Sequence, residues 1–318
     1  MSTTALLSRG DGSDESVDLG NWGSRRLSKD ELLWIDLEAP DADELRILRS
    51  AVDVSDEAIK ALEAQPGRPT ARVLEDAVEV VVLSVADDDD NEPVALHILK
   101  GNGWVVTRHE APMPSLDDHR ERISDQREVG QLTSVEFLVS LLDRHVDSFF
   151  KAAKELEEQV DELDDAALRR EDDLLQDLVT MRRRIAKVRR IVGVHREVFA
   201  ELARPDFLTG LEEREATSLA QVTERLERAG DAIAHVREML IGTFDVHSTR
   251  TAQRTNDTMK VLTLASVILL PSVVVAGIMG MNFQVPFFDN SSLFFVVVAF
   301  MALMAVATLV VARWRGWL

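Results

Sequence analysis

The pattern of apolar and polar positions changes character twice along this chain. In the first third, short runs rich in Val, Ile and Leu recur between turn-forming residues: Leu33-Trp34-Ile35-Asp36-Leu37, then residues 78–85, 94–99 and 104–107. Their length and β-branched content predict strands, bounded by Asp, Pro or the Gly101-Asn102-Gly103 turn. Between them, residues 41–52 and 55–64 carry apolar positions at helical spacing, with Ser55 placed to cap the second helix. The region up to about residue 124 therefore predicts a small α/β domain. From residue 134 the period is helical throughout, and residues 134–168, 172–203 and 211 onward predict long amphipathic helices broken near Arg169 and at Pro205. Val135, Leu138, Leu142 and Val146 mark one packing face, and Leu174, Leu178, Met181, Ile185 and Val188 another. No proline separates Leu211 from the apolar region that follows. One helix of some 70 residues, roughly 100 Å at 1.5 Å rise, is expected to run from the soluble part into that region.

Near the C-terminus the polar face disappears. Residues 261–281 hold no strongly polar side chain beyond hydroxyls, and residues 293–312 contain Thr308 and no charge. Each run reaches the roughly 20 residues needed to cross a hydrocarbon core of ~30 Å. Two such runs in succession predict a transmembrane hairpin rather than two buried core helices. Arg250, Arg254 and Lys260 precede the first span and Arg313 and Arg315 follow the second, whereas the connection 282–292 has Asp289 and neither Lys nor Arg. The asymmetry of basic residues predicts a multi-pass protein of the cell (inner) membrane with both termini cytoplasmic. Trp314 and Trp317 sit where interfacial anchors belong. The first ~20 residues, rich in Ser, Gly and Asp, read as a disordered tail and lack the basic-then-apolar order of a signal peptide. The expected organisation is a tail over 1–20, a cytoplasmic α/β domain over 21–130, a helical bundle and stalk over 131–258 and the hairpin over 259–318: an α+β fold class.

Composition narrows the partners. The chain has 56 Asp and Glu against 36 Lys and Arg, a formal charge of -20, which argues against nucleic acid and favours cations. Absence of cysteine removes disulfides, thiolate nucleophiles and Cys-based zinc or iron–sulfur sites. The seven histidines, among them His195, His235 and His247, share no metal-ligand spacing and are expected at the surface or in packing. Asp87 to Asp90 lack the glycine and distal glutamate of an EF-hand and read as a solvated hairpin turn. No phosphate loop or organic-cofactor motif is evident, so an enzyme is not expected.

Two helices cannot enclose an aqueous path, so any transport role calls for several copies around an axis. Asn256, Met259, Leu262 or Thr263, Ser266, Leu270, Val273, Gly277 and Gly280 advance by three or four residues and share one helix face. They could line a narrow pore, or the small residues could let helices pack closely while hydroxyls bond their own helix; spacing leaves both open. Mg²⁺ sheds its inner waters reluctantly, so a pore of carbonyl and amide oxygens could hold it through those waters. Asn282 supplies such an amide, and Met259 with Leu262 could close the path by dewetting.

Gly280-Met281-Asn282-Phe283 directly after an apolar span, with one further span and a short basic end, resembles the CorA magnesium transporter family. Residues 255–263, Pro271, Ala276-Gly277-Ile278 and the final Trp317-Leu318 extend the likeness, and Trp34-Ile35 and Arg68-Pro69 carry it loosely upstream. The resemblance implies a funnel-shaped homopentamer with one axial pore and a cytoplasmic domain that senses Mg²⁺. Carried over, Gly280, Met281 and Asn282 would form the outer selectivity ring for a hydrated ion and Gly277 would offer a carbonyl further in. Met259 and Leu262 would form a hydrophobic gate, and Asn256 and Asp245 would ring the cytoplasmic exit. Where familiar members place paired carboxylates for a regulatory metal, this chain has Ala61 and Gln221, leaving Glu57, Glu63 and Glu224 as nearby substitutes. The outer connection has Asp289 as its one carboxylate to attract cations. The expected activity is Mg²⁺ influx, with Co²⁺ or Ni²⁺ also admitted, Mg²⁺ serving as both transported and regulatory ion. A zinc transporter of the ZntB type is the alternative, and a membrane-anchored helical scaffold the alternative from another class. Met281 favours magnesium over zinc.

Overall fold

The computed structural model describes residues 3–11, 13–22, 25, 27–28, 30–52, 54–64, 68–85, 93–113, 115–117, 119–120, 132–169, 174–204, 206–208, 211–281 and 291–315. These fall into two compact units, Met1–Thr243 and Phe244–Leu318.

The first unit begins with β1 (Thr3–Arg9), β2 (Asp14–Ser16), α1 (Leu19–Trp22), β3 (Glu31–Glu38), α2 (Ala42–Ala51) and α3 (Asp56–Glu63). It continues with β4 (Thr70–Val73), β5 (Val78–Leu83), β6 (Ala95–Lys100) and β7 (Trp104–His109). Among the described residues the strands form one seven-stranded sheet in the order β2-β1-β3-β7-β6-β5-β4. Only β3 and β7 pair in parallel, so the sheet is mixed. Central position buries β3 and β7 on both faces, and the polar groups among them pair internally, the Thr107 hydroxyl donating to Asp36 at 2.5 Å. Leu33, Ile35 and Leu37 face a core shared with Leu48, Ala58 and Leu62 of α2 and α3. On the other face, the Trp34 ring lies 5.4 Å from that of Phe137.

Local signals set the helix starts. Asp41 and Glu44 form a reciprocal capping box at α2, and the Ser55 hydroxyl accepts the Ala58 N–H at 3.2 Å at α3. The N-terminus corrects the sequence expectation. Residues 3–9 are not a disordered tail but strand β1, paired along its length with β3, with Leu7 fully buried. The Ser- and Asp-rich composition around a seven-residue strand masks the inward pair Ala5 and Leu7. Strand β4 at the opposite edge was likewise not expected; with Arg72 and an exposed Val73 it lacks a continuous apolar run. The expected turn at Asp87 to Asp90 lies outside the described residues.

Helices α4 (Ser134–Arg169) and α5 (Leu174–Leu202) pack together on the sheet, and α6 (Glu213–Met279) follows. The expected stripes are buried: Val135, Leu138, Leu142 and Val146 on α4, and Leu174, Leu178, Met181, Ile185 and Val188 on α5. In α6, the buried residues Leu219, Val222, Leu226, Ala229, Ile233, Val236, Leu240 and Thr243 alternate in steps of three and four. That heptad seam is the signature of knobs-into-holes packing. Arg225 of α6 ties back to α4 through ion pairs with Asp143 and Asp147.

Of the histidines of this unit, His97, His119, His145 and His195 are buried in packing, His109 is buried beside Asp36 and His235 is exposed. His195 is fully buried; its Nε2 accepts the N–H of Leu83, the last residue of β5, at 2.9 Å, and its Nδ1 lies 2.7 Å from the Ile191 carbonyl. With Nε2 as acceptor, Nδ1 must carry the proton and donate to Ile191. Burial lowers the His195 pKa to about 4, and pushes that of neighbouring His145 well below the ordinary value.

The second unit holds the C-terminal part of α6 and α7 (Ser291–Trp314). Both helices are long and apolar enough to cross a bilayer, and in their most apolar stretches no residue is buried. No polar face or core excuses such apolar surface in water, whereas lipid requires it.

Candidate ion-conduction helix

The candidate site lies on α6 within the second unit. Its covering is one-sided. Leu264, Ile268, Ser272, Val275 and Met279 are half-buried, and they are matched on α7 by Val297, Met301, Ala305, Thr308 and the buried Ala312. Steps of three and four on both helices mark this as the seam of the hairpin.

The residues singled out from sequence occupy the other side. Asn256, Met259, Leu262, Thr263, Ser266, Leu270, Val273 and Gly277 are all exposed, Leu270 by 67% and Val273 by 65%. At about 100° per residue the centre of this group stands roughly 180° from the centre of the half-buried group. Thr263 also lines a groove between α6 and α7; it stands about 40° and Leu262 about 60° from the centre of the open face, so both belong to it. A Cβ added at Gly277 would meet nothing within 4 Å, so the face is open there.

The chemistry of the open face is that of acceptors on an apolar ground. The Ser266 hydroxyl donates to the carbonyl of Leu262 at 2.9 Å, as the sequence alternative anticipated, but this commits only its hydrogen. Its remaining lone pair points away from the helix and can accept from the water of a hydrated cation. Pro271 has no N–H, so the carbonyl one turn earlier, at Val267, loses its ordinary helical donor. The helix closes at the motif itself: Gly280 N–H bonds the Ala276 carbonyl at 2.9 Å and Met281 N–H the Ile278 carbonyl at 3.2 Å. A side chain at Gly280 would come within 3.3 Å of the Ala276 carbonyl oxygen, so glycine suits this tight last turn. Asn282 and Asp289 lie outside the described residues. Asp245 is exposed near the start of this unit and has no cationic partner among the described residues.

The candidate regulatory carboxylates belong to the first unit and are not gathered within one chain. Glu57 and Glu63 are exposed on α3, and Glu224 is exposed on α6, where it pairs with Arg228 at 3.2 Å. Among the described residues no three His, Asp or Glu side chains come together as metal ligands. Ala61, where the resemblance would place a carboxylate, packs into the core beneath the sheet, so an acid there would be buried. Sequence reasoning missed the seam residues on α7, whose all-apolar composition carries no periodic contrast by which to assign a face.

Comparison with known proteins fits this architecture. A protein-family model described as CorA-like Mg2+ transporter protein matches residues 29–314. The cobalt/magnesium transport protein CorA of Thermotoga maritima is 28% identical over 259 residues, 79% of this chain and 73% of that protein. The zinc transport protein ZntB of Enterobacter sp. is 23% identical over 277 residues, 83% of this chain and 82% of that protein. The complete structure of the CorA magnesium transporter from Methanocaldococcus jannaschii has the same fold, with a TM-score of 0.83 at 20% identity, covering 99% of this chain and 98% of that one. The resemblance read from Gly280-Met281-Asn282 is thus borne out across the chain, which belongs to the CorA-like family of divalent metal cation transporters.

Proposed function

We propose that this chain assembles as a homopentamer in the cell membrane, with both termini cytoplasmic, and passes Mg²⁺ inward along an axis lined by the open face of α6. The observation that carries this reading is the division of that helix into a seam covered by α7 and, about 180° away, a face left bare. Copies arranged around an axis would turn the bare faces toward one another and the α7 seams outward. In this arrangement Asn256, Met259, Leu262, Thr263, Ser266, Leu270, Val273 and Gly277 line the path. Gly280, Met281 and Asn282 form the outer ring that selects a hydrated ion, Asp289 draws cations toward it, and Asp245 stands at the inner exit. Met259 and Leu262 present thioether and alkyl surface where a ring can exclude water and close the path. Entry is driven by the membrane potential acting on a divalent charge, worth about 4.6 kcal/mol per 100 mV for two elementary charges. Co²⁺ and Ni²⁺ share the charge and hydration that the ring would read.

Mg²⁺ also serves as the regulatory ion in this reading. Glu57, Glu63 and Glu224, dispersed in one chain, would contribute to a site completed by a neighbouring copy.

Flux in liposomes reconstituted with the full chain tests the proposal, with Mg²⁺, Co²⁺ and Zn²⁺ supplied separately and Asn282→Ala alongside. Mg²⁺ entry that drops in Asn282→Ala supports it. Zn²⁺ entry without Mg²⁺ entry supports the zinc reading that the similarity to ZntB keeps open. Absence of any cation flux leaves only a tether.

A further inference from the structure

Apart from the open face, α6 and α7 enclose a groove at the end of the hairpin that carries its basic residues. It has a volume of about 230 Å³ and is lined by Thr263, Leu264 and Val267 of α6 and by Thr308, Val311, Ala312 and Arg315 of α7. The walls are mainly alkyl, with the Thr263 and Thr308 hydroxyls as their polar groups. Thr308 already donates its hydroxyl hydrogen to the Met304 carbonyl at 2.9 Å. The mouth does ask for something: Arg315 has no carboxylate partner among the described residues. Lys260 stands one turn before Leu264 on the same face of α6, balanced by Asp257 at 3.2 Å. The groove therefore ends in about one uncompensated positive charge, contributed by Arg315.

We infer that this groove is a binding site for an anionic phospholipid, with its phosphate on Arg315 and one acyl chain lying between Leu264, Val267 and Val311. Two requirements select this occupant over others. A cavity open to the hydrocarbon region and walled mainly by Leu, Val and Ala fills with alkyl chain, since its few hydroxyls hold too little water to offset burying that apolar wall. A guanidinium at the head of such a cavity is matched by a phosphate, which it can grip through two N–H donors at once. Thr308 to Arg315 spans about 10 Å along α7 at 1.5 Å per residue, which runs from the phosphate level into the hydrocarbon. The site lies beside the proposed conduction face, not on it. It rests on the reading of α6 and α7 as membrane spans.

The test is native mass spectrometry of the full chain released from nanodiscs containing equal amounts of phosphatidylglycerol and phosphatidylcholine. The expected result is phosphatidylglycerol retained at up to one per chain, in several-fold preference over phosphatidylcholine. Arg315→Ala should cut that retention several-fold, Arg315→Lys should keep part of it, and Val311→Trp should cut it by filling the groove while leaving the cation in place. Equal retention in Arg315→Ala and Val311→Trp would overturn the site, as would retention with no headgroup preference. Cross-linking of a Val311→Cys variant between copies would overturn it too, by showing that a neighbouring chain covers the groove. Failure of the chain to enter nanodiscs would instead count against the membrane reading itself, so the two failures are distinguishable.

Discussion

The two parts of α6 are built on opposite plans. Up to Thr243 the helix buries one strict heptad seam and exposes charge on its other sides; beyond it, no described residue of α6 is fully buried, and away from the half-buried seam with α7 the apolar side chains are exposed. The first part gains its stability from neighbours in the same chain. The second can gain its own only from lipid, from α7 or from further copies. The same backbone thus holds a structural half and a half whose partners are elsewhere, and the change occurs where the units part, at Thr243 and Phe244. The residues that decide folding and those proposed to decide transport should separate along one helix.

Leu226→Ala tests that separation most severely. Leu226 is fully buried in the seam, so its truncation should destabilise the first unit by about 2–5 kcal/mol, read as a fall in the thermal unfolding transition. Leu270→Ala, the same chemical change on the open face, should leave that transition nearly unmoved. Comparable losses from both would dissolve the contrast.

Acid provides the next largest effect. His97, His119 and His195 are buried with pKa values lowered to about 4. Burial is the main cause in each, reinforced by Arg108 for His97 and by Arg144 for His119. At these three positions the unfolded chain takes up protons below about pH 6.5 while the folded one does not, so their contribution is full above that pH and falls between about 6.5 and 4, opposed by His109, which, despite burial, Asp36 holds above its ordinary value. Each of the three should cost about 3 kcal/mol across the window. A pH series of unfolding midpoints should slope in this range, and a flat series would contradict the buried neutral assignment. The second unit holds no such histidine among its described residues, so its α-helical signal should persist through the same titration.

A smaller effect, and one of function alone, is expected at Gly277. Gly277→Leu places alkyl groups on the open face, and Mg²⁺ flux into liposomes should drop by roughly tenfold or more, about 1.4 kcal/mol, with unfolding of the first unit unchanged. Undiminished flux would place the path elsewhere. Smallest of all is Glu224→Gln: its exposed pair with Arg228 should be worth less than about 0.5 kcal/mol of stability. Any shift in the Mg²⁺ concentration that closes transport would then report a regulatory role separate from folding.

Legibility in the sequence followed the same division. The packing faces of α4 and α5 and the central strands were readable because buried and exposed positions contrast there, at helical period in one case and as short apolar runs in the other. Strands β1, β2 and β4, at or next to the sheet edges, escaped because they carry Ser, Thr, Asp or Arg among their few apolar residues. The open face of α6 was readable from its Gly, Ser and Asn among Leu and Val. The structure keeps both Leu262 and Thr263, which stand within about 60° of the centre of that face. The boundary expected at residue 258 follows the change from charged to apolar sequence; the compact units part earlier, where the buried seam ends. His195 gave no signal, because its role depends on Leu83, which lies far away in sequence.

The Ser266 hydroxyl has one further consequence. With its hydrogen committed to the Leu262 carbonyl, Ser266 offers the open side lone pairs and no proton. An anion passing there, chloride for instance, would shed water and find no donor at Ser266 to replace it, whereas the water of a hydrated cation finds an acceptor. At this level of the path, a preference for cations needs no ring of negative charge.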